Sequence, residues 1–192
     1  RVTIFLSKSM DQITLQPVNA ISGEITLPGS KSLTNRALLL AALAAGKTRI
    51  VNLLSSADTG HMITALRQLG VEIKEETANA TVVGNAGLFS KPEKKSFFLG
   101  NAGTAIRPLT AMLNMIPGRF IVDGDEYMRE RPIAHLGDAL TQLGASIEYL
   151  NEDGFPPIAF EGGHIEGGEV NIAGHISSQY LTALLLSLPL AE

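Results

Sequence analysis

The sequence predicts an α/β fold of the α+β repeat type. Units of order β-α-β-α-β-β pack around buried helices with pseudo-threefold symmetry, two units complete and a third begun. Three observations lead there. The first is self-similarity: the stretch His61–Ile73 returns as His135–Ile147, with His, Ala, Leu, Gln, Leu, Gly and Ile repeating at an offset of 74. Arg36–Leu43 matches Arg107–Leu113 at an offset of 71, and Tyr180–Leu185 echoes Pro108–Leu113 at 72. The second is that the first helix of every unit is apolar nearly all round, which a helix tolerates only when buried on every side. The third is that each of these helices is entered through a turn containing Gly or Ser beside basic or polar residues.

The elements follow in order. Each unit opens on a short strand (Gly23–Leu27, Lys95–Leu99, Glu169–Ile172) and turns into the apolar helix (Thr34–Leu43, Thr104–Met115, Ser177–Leu188). A second strand comes next (Arg49–Leu53, Arg119–Asp123), then an amphipathic helix (Thr59–Gln68, Pro132–Gln142) with Gly70 or Gly144 just past its end as C-terminal cap. Two strands close the unit: Glu72–Lys74 with Thr81–Val83, and Ser146–Tyr149 with Ile158–Phe160. The period is about 72 residues, and a third unit beginning near Gly168 lacks its second half within the 192 residues. That predicts a fragment of a longer protein.

Composition bounds the function. A hydrophobic share of 45% suffices for a sizeable core, and a net charge of −4 argues against non-specific nucleic-acid binding. The absence of cysteine excludes disulfides, a thiolate nucleophile and Cys-ligated zinc. The longest apolar runs, Ala37–Ala45 and Leu181–Leu188, fall short of the roughly 20 residues of a membrane span. Residues 1–9 are too short and weakly apolar for a secretory signal and read as a leader, with Met10 as a native start. Residues 25–57 and 94–122 contain lysine and arginine but no acid, which concentrates positive charge where an anion could bind or is ordinary scatter.

The chemistry gathers at the strand-to-helix turns. They read Pro28-Gly-Ser-Lys31-Ser32-Leu-Thr-Asn35-Arg36, Gly100-Asn101-Ala-Gly103-Thr104-Ala-Ile-Arg107-Pro108 and Gly174-His-Ile-Ser177-Ser178-Gln179. Glycines let backbone approach a ligand, and a helix N-terminus offers free N–H groups with partial positive charge. With Lys31, Arg36 and Arg107 added, the three turns form one candidate surface for phosphate or carboxylate. Ser30 or Ser32, Thr104 and Ser177 equally suit helix N-caps, a role that leaves the cations unexplained. Gly-Ser-Lys-Ser lacks the spacing of a nucleotide phosphate loop. In Asp123–Pro132, Arg131 sits at a helix start before a proline at N1, with Glu130 as a partner that could orient an arginine. His61 and His135 hold equivalent repeat positions and read as packing residues, and His164 and His175 lie in Gly-rich turns without metal-ligand spacing.

Leu27–Leu43, Leu99–Leu109, Arg129–Leu136 and Ser177–Leu184 together resemble the signatures of the 5-enolpyruvylshikimate-3-phosphate synthases, with the resemblance running from about Met10 onward. It implies the enolpyruvyl transferase fold, of which residues 23–192 would be an incomplete N-terminal domain and residues 10–22 a strand and crossover belonging to the other domain. It implies transfer of the enolpyruvyl group of phosphoenolpyruvate to the 5-hydroxyl of shikimate 3-phosphate, with phosphate released, in aromatic amino acid biosynthesis. By motif, Lys31 would contact both substrates. Ser32, Arg36, Ser177, Ser178 and Gln179 would hold shikimate 3-phosphate, with Gln179 also reaching phosphoenolpyruvate. Gly103 and Arg131 would bind phosphoenolpyruvate, Asn101 and Arg107 would shape that pocket, and Pro108 would tune its crowding by the inhibitor glyphosate. The acid and base groups would come from the absent C-terminal domain, so the isolated chain is expected to be inactive. No cofactor, metal, nucleic acid or membrane is implied; a cytoplasmic enzyme, monomeric at full length, is.

UDP-N-acetylglucosamine enolpyruvyl transferases share fold and donor, but that family carries a loop cysteine absent here and Asn in place of Ser32. A non-catalytic phosphometabolite-binding module is the alternative of another class. Nucleic-acid processing on a related repeat is disfavoured by charge and scarce aromatics.

Overall fold

The computed structural model describes residues 17–89, 94–172 and 176–191. Most of the proposed Gln12–Val18 strand, the proposed leader, and Gly174 and His175 of the third turn lie outside them.

The first unit consists of helix α1 (Lys31–Leu43), strand β1 (Ala45–Ile50), helix α2 (Ala57–Gln68) and strands β2 (Glu72–Glu76) and β3 (Asn79–Asn85). The second has β4 (Lys94–Phe98), α3 (Gly103–Asn114), β5 (Gly118–Asp123), the short α4 (Glu126–Arg129), α5 (Ala134–Gln142), β6 (Ile147–Tyr149) and β7 (Ile158–Gly162). Helix α6 (Ser178–Ser187) and a 3-10 turn (Leu188–Leu190) follow. The strands make two sheets, ordered β1-β3-β2 and β4-β5-β7-β6. Among the described strands only β4 and β5 run parallel.

Helix α3 is the centre. Eleven of its residues, Gly103 and Ala105–Asn114, are buried, and it packs against both α1 and α6. Sheet two lies against it through Phe97, Phe120 and Phe160, whose rings follow one another at 6.2 and 5.8 Å across β4, β5 and β7. Among the described residues α1 and α6 have little mutual packing, so two sides of the expected helix triangle are formed.

Where sequence and structure agree, local chemistry explains it. Helices α2 and α5 both end in the same motif. Gly70 (φ 85°) and Gly144 (φ 97°) take the left-handed conformation, Val71 N–H bonds the Leu66 carbonyl and Ala145 N–H the Leu140 carbonyl. Ser56 and Thr59 form a capping box at the start of α2.

Three expected strands need correction. Gly23–Leu27 forms no strand: Ile25 and Leu27 are 81% and 76% exposed, whereas their repeat counterparts Phe97 and Leu99 are 0% exposed. A strand is held by a covered face as much as by its ladder, and among the described residues the first-unit segment has none. Glu169–Ile172 forms no strand either. The Gln142 side chain of α5 clamps the Asn171 backbone, its amide donating to the carbonyl and its oxygen accepting from the N–H, both at 3.0 Å. The strand expected at Arg49–Leu53 lies earlier, at Ala45–Ile50, because Asn52 turns to φ 54° and breaks extension. No helix among the described residues is long and apolar enough to cross a membrane.

Candidate functional site

The start of α1 is built as its sequence requires. The Ser30 hydroxyl accepts from Leu33 N–H, and Thr34 N–H reaches the Ser30 carbonyl. Capping leaves Lys31, Ser32 and Arg36 free for other roles. Lys31 is half-exposed and pairs with Asp58 of α2, Nζ to Oδ2 at 2.7 Å. Arg36 is partly buried and makes no ion pair or hydrogen bond with any described residue.

Helix α3 starts differently. Its N-cap is Ala102, with no side-chain cap, and Thr104 does not act as one. The Thr104 hydroxyl instead accepts from the amide nitrogen of Asn35 at 2.9 Å, tying the start of α3 to the buried face of α1. The reason is that Asn35 is fully enclosed and needs partners; its own carbonyl oxygen has none. At α6 the Ser177 hydroxyl accepts from Gln179 N–H at 3.2 Å, and Ser178 opens the helix.

Arg107 links the second and third turns. Its guanidinium is buried and donates through Nη1 to the Gln179 side-chain oxygen at 2.8 Å and the Gly103 carbonyl at 3.3 Å. Nη2 donates to the Pro132 carbonyl at 3.1 Å, and the group lies 5.3 Å from the centre of the Tyr180 ring. Neither a carboxylate nor any other described acceptor takes the remaining Nε–H. Burial pulls Arg107 below the usual arginine pKa; Tyr180 acts the other way, and the nearby Arg131 charge adds to the lowering.

Arg131 arrives from the turn after α4 and donates through Nη1 to the side-chain oxygen of Asn101 at 3.0 Å and its carbonyl at 3.3 Å. Gly103 lies against both guanidiniums. A Cβ there would stand 2.6 Å from Nη2 of Arg131 and 2.7 Å from Nη1 of Arg107. Two arginines thus sit side by side on one glycine, without an acid between them.

The neighbouring cluster corrects two expectations. Pro132 is not at N1, since α5 begins at Ala134 behind an Ile133 cap. Glu130 orients no arginine among the described residues: Arg129 is gripped by Asp123 at 3.0 and 2.6 Å, and Arg131 by Asn101. His61 and His135 pack as predicted, edge-on to Phe98 and tilted against Tyr180, each with ring centres 5.7 Å apart. Of the other cations in the acid-free stretches, Lys47, Arg49 and Arg119 are exposed on strands, and Lys95 donates to the Gln68 carbonyl at the end of α2. Asp58 and Tyr180 escape sequence reasoning, because each acts across elements that only the fold joins. Asp58 reads as an ordinary acid in a helix's first turn.

The arrangement is a cationic surface where three helices begin. The first and second turns are joined by Asn35 and Thr104, the second and third by Arg107 and Gln179. It suits a polyanion held by charge-assisted bonds.

Residues 15–192 match the family described as EPSP synthase (3-phosphoshikimate 1-carboxyvinyltransferase). The chain is 55% identical over 185 residues to a 3-phosphoshikimate 1-carboxyvinyltransferase of Sulfurovum sp., covering 95% of this chain and 43% of the relative. A protein of the same name from Haemophilus influenzae is 53% identical over 188 residues, covering 95% and 44%. The EPSP synthase from Acinetobacter baumannii superposes with a TM-score of 0.79 at 29% identity, over 88% of this chain and 39% of that one. The chain therefore spans less than half the length of the curated relatives it matches. With the repeat, the turns and nearly the whole chain agreeing, it belongs to the EPSP synthase family.

Proposed function

We propose that this chain carries the N-terminal half-site of a 3-phosphoshikimate 1-carboxyvinyltransferase, which moves the enolpyruvyl group of phosphoenolpyruvate onto the 5-hydroxyl of shikimate 3-phosphate and releases phosphate. The observation that carries this reading is the buried Arg107 beside Arg131, two guanidiniums on Gly103 with no carboxylate partner among the described residues. A buried charge left without a counter-ion is costly, and an anionic ligand is the partner it suits. Phosphoenolpyruvate, with a phosphate and a carboxylate, fits Arg107, Arg131, Asn101, Gly103 and Gln179. Shikimate 3-phosphate fits Ser32, Arg36, Ser177, Ser178 and Gln179, with Lys31 between the two substrates and in part neutralised by Asp58.

Binding is only half of the chemistry. The 5-hydroxyl must lose a proton as its oxygen attacks the enol carbon, and the methylene carbon must gain one. No residue of the half-site is assigned to those transfers; they belong to the part of the family's length that this chain does not span. Glyphosate as an inhibitor of the phosphoenolpyruvate pocket, a cytoplasmic location and a monomeric full-length enzyme belong to the same proposal.

The test is calorimetric titration of the chain with shikimate 3-phosphate, beside an Arg36→Ala variant. Saturating heat in the parent and none in the variant supports the half-site. A folded chain that takes up no shikimate 3-phosphate removes the assignment of these turns to that substrate.

A further inference from the structure

Tyr180 belongs to no part of the site assigned so far, yet three contacts converge on it. Its ring is buried and lies under the Arg107 guanidinium at 5.3 Å. His135 is a second neighbour, at 5.7 Å between ring centres. Its hydroxyl donates to the Pro132 carbonyl at 2.9 Å. That carbonyl also accepts from Nη2 of Arg107 at 3.1 Å. One backbone oxygen, next in the chain to Arg131, is therefore pinned from α6 and from α3 at once.

Both contacts bear on the arginine pair. Arg107 is buried without an acid among the described residues, so the face of an aromatic ring is one of the few groups that support its charge. Among the described residues, Asn101 alone fixes the Arg131 guanidinium. The Arg131 backbone is set by the turn that ends at Pro132. A carbonyl held by two donors allows that turn little rotation. We propose that Tyr180 is a positioning residue, which fixes Arg107 through its ring and Arg131 through its hydroxyl and so sets the spacing of the two guanidiniums. Its effect falls chiefly on the phosphoenolpyruvate side of the site, because its polar and aromatic contacts among the described residues run to Arg107, Pro132 and His135. The inference rests on the substrate assignment above.

The variant Tyr180→Phe keeps the ring and removes only the hydroxyl. One neutral hydrogen bond is worth roughly two- to tenfold in an equilibrium. The expected result is a phosphoenolpyruvate dissociation constant weakened roughly fivefold, a smaller loss for shikimate 3-phosphate, which shares Gln179 with Arg107, and a shifted Arg131 Nε–H resonance in the nitrogen–proton spectrum. A purely structural role would weaken both ligands equally and leave that resonance in place. If the parent binds no phosphoenolpyruvate, the substrate assignment fails. If the parent binds it and Tyr180→Phe binds it equally well, only the positioning role fails. Should the variant not fold, the parent's labelled tyrosine ring decides: it must shift on phosphoenolpyruvate addition, and a ring indifferent to the ligand overturns the proposal.

Discussion

Arg107 shows how one residue can be structural and functional together. Its bonds to Gln179, Gly103 and Pro132 tie three segments into one surface, and its lack of an acid partner among the described residues leaves charge over for a ligand. Gly103 sets how closely the two arginines approach. In Gly103→Ala the new methyl would meet the ends of two flexible side chains, so the guanidiniums move while the backbone stays. The expected outcome is an unchanged melting temperature, with phosphoenolpyruvate binding weakened by roughly tenfold, about 1.4 kcal/mol. Calorimetry and thermal melts on one sample distinguish this from loss of fold. A second prediction concerns Tyr149, well away from the turns. Burial first, then Asp138 and Asp153, hold its hydroxyl above the usual pKa of 10. The folded state favours the neutral phenol, so this contribution is whole below about pH 10 and is lost as pH rises through the raised value. Urea melts between pH 9 and 11 should show Tyr149→Phe losing less stability than the parent; equal losses would mean the phenol is not coupled to folding.

Between elements, the decisive bond is that from Asn35 of α1 to Thr104 of α3. Thr104→Val keeps the shape and removes the acceptor, leaving an enclosed amide N–H unpaired. That should cost about 1–3 kcal/mol of unfolding free energy, measured by denaturant titration; a cost near zero would mean water replaces the hydroxyl. The helices themselves are legible in the sequence, because apolar periodicity, serine caps and a C-terminal glycine are all local signals. The first strands of units one and three are not, because a strand depends on a distant face. Phe97 and Leu99 find one, Ile25 and Leu27 do not, and Val170 and Ile172 lie in a segment held by the Gln142 side chain. Four residues of α4 are too few to show a period. In the site, the cations and glycines stand out within their motifs. Two of their partners do not: Asp58 for Lys31 and Tyr180 for Arg107 each come from another element, whereas Asn101, the partner of Arg131, stands in the second turn's own motif.

At the scale of the molecule, the described fold leaves apolar surface uncovered on both neighbours of the central helix. Leu33 and Leu40 of α1 and Leu181 and Leu185 of α6 are exposed, as are Ile25 and Leu27 before α1. In the complete units the first helix is covered by its own unit's second helix, α1 by α2 and α3 by α5; among the described residues α6 has no such cover. Exposed leucines on the two helices that flank α3 favour association with whatever can bury them. The chain spans 43% of the Sulfurovum relative, and the remainder of that relative is a concrete candidate. The chain alone is expected to give no turnover of phosphoenolpyruvate and shikimate 3-phosphate, because the half-site lacks assigned proton-transfer groups. Co-expressed with the unmatched part of the Sulfurovum protein, it should purify as a one-to-one complex that releases phosphate from the substrate pair. Within that complex, Leu181→Glu with Leu185→Glu should abolish copurification while leaving the helical circular dichroism of the separate chain intact. Turnover by the chain alone would show that the proton-transfer groups lie within these 192 residues after all. A stable complex that survives the double glutamate variant would move the docking surface away from α6, toward α1 and the exposed segment before it.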